Sequence, residues 1–246
     1  MTGSSEAKTV QEIDTTFDFR TDAGGKDPDS HSRTLRRYHQ ILWSKPLPNG
    51  AMFALDSTTP GEYLHHKSEL GEFWLASDSV IPTFEGYLTM AAVLGQLPSS
   101  EIEEFQTIGY TIGRMMVFPG NAISVNWVGR KLTINGARGL RRKISDRMDL
   151  TLECIRRFYL GQASPLDEVL ARYADFFSLF GSFKGYVRFF LLDDLVDDDY
   201  RQVRFFLPFD DFTTPALPQT VEAYRAYREA SVAFIEARNR RIDALT

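Results

Sequence analysis

Residues 128–147 read VGRKLTINGARGLRRKISDR and set seven basic side chains, Arg130, Lys131, Arg138, Arg141, Arg142, Lys143 and Arg147, against one acid, Asp146. The order within the segment suggests a chemistry. A candidate strand runs into Asn135-Gly136-Ala137-Arg138-Gly139, and four more basic residues precede a helix start. Two glycines let a ligand approach the backbone, and the N–H groups of such a turn could cradle an anion beside Asn135, Arg138, Arg141 and Lys143. Arginine suits phosphate because its planar fork grips two oxygens at once. The same side chains would equally serve as a solvated face, or neutralise the acidic run Asp193, Asp194, Asp197, Asp198 and Asp199.

The second chemical feature is Leu64-His65-His66-Lys67-Ser68-Glu69. A carboxylate beside an imidazole raises its pKa and orients it, which suits proton transfer near neutrality. His65, His66 and Glu69 are therefore the candidate catalytic group. On a helix His65 and Glu69 share a face; on a strand His65 and His66 point to opposite sides and one of them at most can serve. The alternative is that these histidines are structural.

Other chemistries find no support. The segment lacks the P-loop order and the GxGxxG dinucleotide fingerprint, no GxSxG elbow occurs, and the histidine pair is not HExxH. The run 193–199 lacks the EF-hand order and reads as an acidic helix end paired with Arg201 or Arg204. No metal site is expected, and no cofactor is indicated. Cys154 is the single cysteine, which excludes an internal disulfide and suits a small apolar filler in a reducing cytoplasm.

The net charge of −5 disfavours a general nucleic-acid binder, so any contact with a nucleotide or RNA has to be local. No hydrophobic run approaches the roughly 20 residues of a membrane helix, and the polar start MTGSSEAKTVQEIDTT lacks a secretory pattern; a cytoplasmic protein without membrane contact is expected.

Stepping outward to the elements, residues 1–16 are expected to form a loose tail and residues 17–246 one globular domain. Alternation at 17–20 predicts a strand, Thr34 a helix N-cap, Pro46 and Pro48 its stop, and 51–55 a strand after the Asn49-Gly50 turn. Residues 62–79 read as either helix or strand. Helical spacing covers 85–94, and another helix starts at Ser99 or Ser100. Strands at 114–118 and 131–134 are expected to pair as a hairpin. The second half is helical: from Asp146 to Tyr159, from Ser164-Pro165 onward, at 186–196 with a strand as the alternative, and at 218–241. The fold class is α+β and mainly helical, with a small antiparallel sheet in the N-terminal half and a helical C-terminal half packed on it.

The segments FDFRTD, RYHQILWSKPLPNG, YLHHKSELGEF, SDSVIPTF, MVFPGN, TINGARG and DRMDLTLECIRRFYLG together resemble a family of uncharacterised bacterial proteins, a domain of unknown function. The resemblance spans about 17–240, implies one continuous unit and assigns no activity; the chain departs from it at 122–128. Two functions follow for testing. One is a phosphate-directed protein binding or acting on a nucleotide or RNA. The other is a non-catalytic module docking a protein partner, with a role in defence against mobile DNA as a weaker variant.

Overall fold

The computed structural model describes residues 12–56, 64–120 and 133–245. Its sheet forms where the sequence left helix and strand open. Strand β3 (Leu64–Ser68) turns at Glu69 and Leu70 into β4 (Gly71–Ser79), with Leu64 opposite Leu75 and His66 opposite Phe73. Gly71 has φ +132°, a conformation that side chains rarely adopt, and a Cβ there would meet the Phe73 ring at 2.9 Å. On its other edge β4 pairs antiparallel with β5 (Met115–Gly120), from Trp74 opposite Gly120 to Ser79 opposite Met115. β5 is buried along its whole length, which its run of Met, Val and Phe demands. A smaller ladder joins β1 (Lys45–Pro46) to β2 (Met52–Phe53).

Helix α1 (Pro28–His31) leads into α2 (Arg33–Trp43), capped by Ser32, whose hydroxyl accepts from Leu35 N at 3.0 Å; the cap is two residues earlier than expected. After β4, a 3-10 turn at Leu88–Met90 continues as α3 (Ala91–Leu94) and is followed by α4 (Ser99–Gly109). Then come α5 (Ile134–Leu140), α6 (Met148–Tyr159), α7 (Asp167–Ala171), α8 (Ala174–Ser178), α9 (Phe183–Phe189) and α10 (Val221–Asp243).

The α+β class stands, and several local readings are corrected. Residues 17–20 form turns, because Asp18 accepts from Arg20 N at 2.9 Å and folds the chain back before a ladder can form. The helix expected at 85–94 is confined to its last seven residues, since Phe84 sits at φ 65°. The hairpin partner expected at 131–134 is replaced: 131–132 lie outside the described residues, and Thr133 caps α5 by accepting from Gly136 N at 3.1 Å. Asp146, at φ 59°, precedes α6 rather than starting it, and 186–196 breaks at Leu191, φ 55°. The Asn135-Gly136-Ala137-Arg138 stretch is consequently helix and not a turn.

One cluster of buried side chains runs from Ile13 to Ile242, so packing begins before Phe17. Helix α10 ties the halves together. Its Arg238, fully buried, donates to Gly113 O at 3.0 Å, Met115 O at 2.8 Å and Phe190 O at 3.0 Å, and the Tyr227 hydroxyl donates to Pro82 O at 3.0 Å. Among the described residues no helix is long and apolar enough to cross a membrane.

Candidate functional site

Side chains alternate along β4, so Trp74, Ala76 and Asp78 face one way and Phe73, Leu75 and Ser77 the other. The two faces carry different chemistry. On the Ser77 face, His39 is fully buried; its Nε2–H donates to the Ser77 hydroxyl at 2.9 Å and its Nδ1 accepts from Trp43 Nε1 at 3.0 Å. Burial, reinforced by the charges of Arg238 and Arg36, pushes His39 down to about 3, so the ring is neutral. His66 belongs to this face as well. It stacks on Phe53 with ring centroids 4.2 Å apart, its Nδ1 lies 3.1 Å from Ala54 N and 2.8 Å from Ala54 O, and its Nε2 shares a hydrogen bond with the Ser68 hydroxyl at 2.8 Å.

The three expected catalytic residues are not brought together. His65 lies half-exposed on the opposite side of β3 and meets Glu72 across the hairpin at 3.0 Å, while Glu69 is exposed in the turn. Both ring nitrogens of His66 are occupied, and only 1% of the residue is exposed.

The Asp78 face gathers the charged groups. Arg138, one turn from the end of α5, is completely buried over the Phe118 ring, 4.6 Å from its centroid. Its guanidinium donates to Asp78 Oδ2 at 2.6 Å, to the Thr151 hydroxyl at 2.9 Å and to the Asp146 carbonyl at 2.6 Å. The partner of Arg138 is thus Asp78 and not the run at 193–199. There, Asp194 pairs with Arg241, Asp198 with Arg204, and Asp193 accepts from the Tyr200 hydroxyl.

Two further carboxylates converge on Asp78. Asp29 of α1 accepts from Ser79 N at 3.2 Å, and Asp146 accepts at Oδ2 from the Tyr87 hydroxyl at 3.0 Å. Gly139 lets Asp146 come close, since a Cβ there would stand 3.0 Å from its Oδ2. Burial, then the charges of Asp146 and Asp29, pushes Asp78 up to about 8 against the pull of Arg138. The side chain keeps 23% of its surface open, so the carboxyl stays within reach of solvent. Burial and the neighbouring Asp27 push Asp29 up to about 6. Tyr87 is pushed up as well, by burial and then by Asp146, so its hydroxyl stays a donor.

Arg114, only 7% exposed, adds positive charge felt by both Asp29 and Asp78, yet its Nε and Nη1 have no hydrogen-bond partner. Asn135, three residues before Arg138 and so on the same side of α5, has a buried Oδ1 without a partner. The backbone is left-handed at Ser145 (φ 45°) and Asp146 (φ 59°), a cost of order 1–3 kcal/mol per residue that is characteristic of functional walls.

A carboxylic acid that titrates near neutrality, next to a second carboxylate and a buried guanidinium, can give and take a proton at a bound ligand. Arg147 is also spent internally, on Asp149 and Ala216 O. Arg141 is half-buried, Arg142 and Lys143 are exposed, and Arg130 and Lys131 lie outside the described residues. Sequence reasoning missed Asp29, Asp78, Tyr87, Arg114 and Asp146 as a group. The legible signal was Asp78 itself, a charge inside the apolar run FWLASDSVI.

Neither a curated protein nor a solved structure matches this chain. Residues 13–242 match the Family of unknown function (DUF6994), and the chain belongs to that family.

Proposed function

We propose that the chain binds a phosphate-bearing ligand, a nucleotide or RNA, and transfers a proton on it at the Asp29, Asp78 and Asp146 cluster. The observation that carries this reading is the gathering of Asp29 and Asp146 around Asp78, itself paired with Arg138, raised toward neutrality and still open to solvent. Arg138 positions Asp78 and does not itself reach a ligand, being fully buried. Anion recognition falls to Arg141, Arg142 and Lys143, which leave the end of α5 on the loop that returns to Asp146 through Ser145 N to Arg141 O. The buried free oxygen of Asn135 and the free N–H groups of Arg114 are then available to polar atoms of the ligand or to water.

A thermal-shift series with nucleotides and short RNA tests the reading, because a ligand that binds only the native state raises its melting temperature. The wild type is expected to shift. Replacing Arg142 and Lys143 together by Ala should abolish the shift, and Asp78→Asn should keep binding while removing turnover. A full shift in the Arg142 and Lys143 double variant would refute it.

A further inference from the structure

A second positive site lies between β1 and α9, and none of its residues belongs to the Asp78 cluster. A cleft of about 440 Å³ is lined by Lys45, Lys184 and Arg188 with Ser182, the prolines Pro46 and Pro48, and Phe189, and no acidic side chain lines it. In a chain of net charge −5, three cations facing one concavity without a lining carboxylate form a local field that attracts anions.

The cations are held rather than loose. The Lys45 ammonium lies 5.0 Å from the Trp43 ring centroid and 4.7 Å from that of Phe189, and donates to Phe189 O at 2.6 Å. An ammonium has three donors, so two remain for a ligand. Arg188 donates through Nε to the Tyr200 hydroxyl at 3.1 Å, which leaves its two terminal nitrogens for a ligand, and Lys184 sits over the same Tyr200 ring at 4.7 Å. The acid that Lys45 and Arg188 feel is Asp193, which stands outside the lining and is engaged through Oδ1 by the Tyr200 hydroxyl at 2.7 Å. Burial, followed by the charge of Arg238, pushes Lys45 down to about 8 against the pull of Asp193.

We propose that the cleft of Lys45, Lys184 and Arg188 is a binding site for a phosphate group, with Lys45 as its floor and Lys184 and Arg188 as its walls. The site is independent of the proton-transfer reading above, and the two fail separately. Trp43, in contact with Lys45, provides a fluorescence signal for titration with inorganic phosphate and with glycerol 3-phosphate. Saturable quenching or enhancement is expected with at least one of them, and their relative affinities tell whether the site takes the free ion or an esterified phosphate. Lys45→Met, which keeps the apolar stem, and the exposed Lys184→Ala should each weaken binding at least tenfold, whereas Lys67→Ala, which removes an exposed lysine outside both sites, should bind as the wild type does. No saturable signal with either probe, or equal affinity in wild type and Lys184→Ala, overturns the proposal.

Discussion

The two faces of β4 use buried polar groups in opposite ways. On the Ser77 face each imidazole has a partner for both nitrogens: His39 holds Ser77 and Trp43, and His66 holds Ala54 and Ser68. On the Asp78 face the groups are mismatched. Asp29 and Asp146 crowd the Asp78 carboxyl that Arg138 holds, two nitrogens of Arg114 and the oxygen of Asn135 lack partners, and the backbone is left-handed at two adjacent residues. A satisfied network fixes a fold, while an unsatisfied one retains free energy that a ligand can release. The residue types alone pointed the other way, because histidine pairs suggest proton transfer more readily than aspartates do.

Removing Arg138 is the heaviest way to break this contrast. Arg138→Met leaves Asp78 without its partner and the Asp146 carbonyl and Thr151 hydroxyl without their donor. Breaking a buried pair by deleting one member costs roughly 3–5 kcal/mol. Chemical denaturation should show that loss at neutral pH, and Asp78→Asn in the same chain should recover part of it. A variant as stable as the wild type would mean that Arg138 does not hold this face together.

His66→Ala tests the satisfied face. The ring makes two buried hydrogen bonds and stacks on Phe53, so its removal should cost about 1–3 kcal/mol in denaturation while leaving any nucleotide-induced thermal shift unchanged. Loss of the ligand response at preserved stability would return the chemistry to the histidines.

The faces should also differ in pH dependence. Asp78 has a folded pKa above its ordinary 3.8, so the native state holds the extra proton between about pH 4 and 8 and loses stability as pH rises through that window. His39 is depressed to about 3 from 6.5, so the native state resists protonation and loses stability as pH falls below about 6.5. Asp78→Asn should gain on the wild type by a few degrees between pH 5 and 8.5, since about 1 kcal/mol moves the midpoint of a chain this size by roughly 2–4 °C. A constant difference across that range would place the Asp78 carboxyl in an ordinary environment.

Helices were legible where an apolar stripe marked them, as in α6 and α10. They were misread where a left-handed residue interrupts a continuing hydrophobic pattern, at Phe84 and Leu191, because positive φ leaves no trace in periodicity. The cluster was half visible. The segment ending at Asp146 drew attention through its charge, but Asp29 and Asp78 lie 117 and 68 residues before it, and local spacing carries no information about which distant acid a buried arginine meets. The Arg138 contact also explains why the acidic run at 193–199 was a misleading partner: those acids are met by Arg241, Arg204, Tyr200 and backbone N–H groups close to them.

The smallest effect is expected from His65, and it sharpens the comparison most economically. His65 lies on the same side of the sheet as Asp78, but four residues away along β4, opposite Trp74. Its one polar partner is Glu72, which also meets Lys67 at 3.3 Å and is exposed. An exposed pair of this kind gains little from Coulomb attraction in water and loses side-chain freedom. His65→Gln should therefore leave both the melting temperature and the ligand response within error, and Glu69→Gln in the hairpin turn should do the same. If His65→Gln instead abolished the response that Asp78→Asn preserves, face membership would matter less than reach from the hairpin, and the Asp78 cluster would be a structural anchor beneath a site centred on β3.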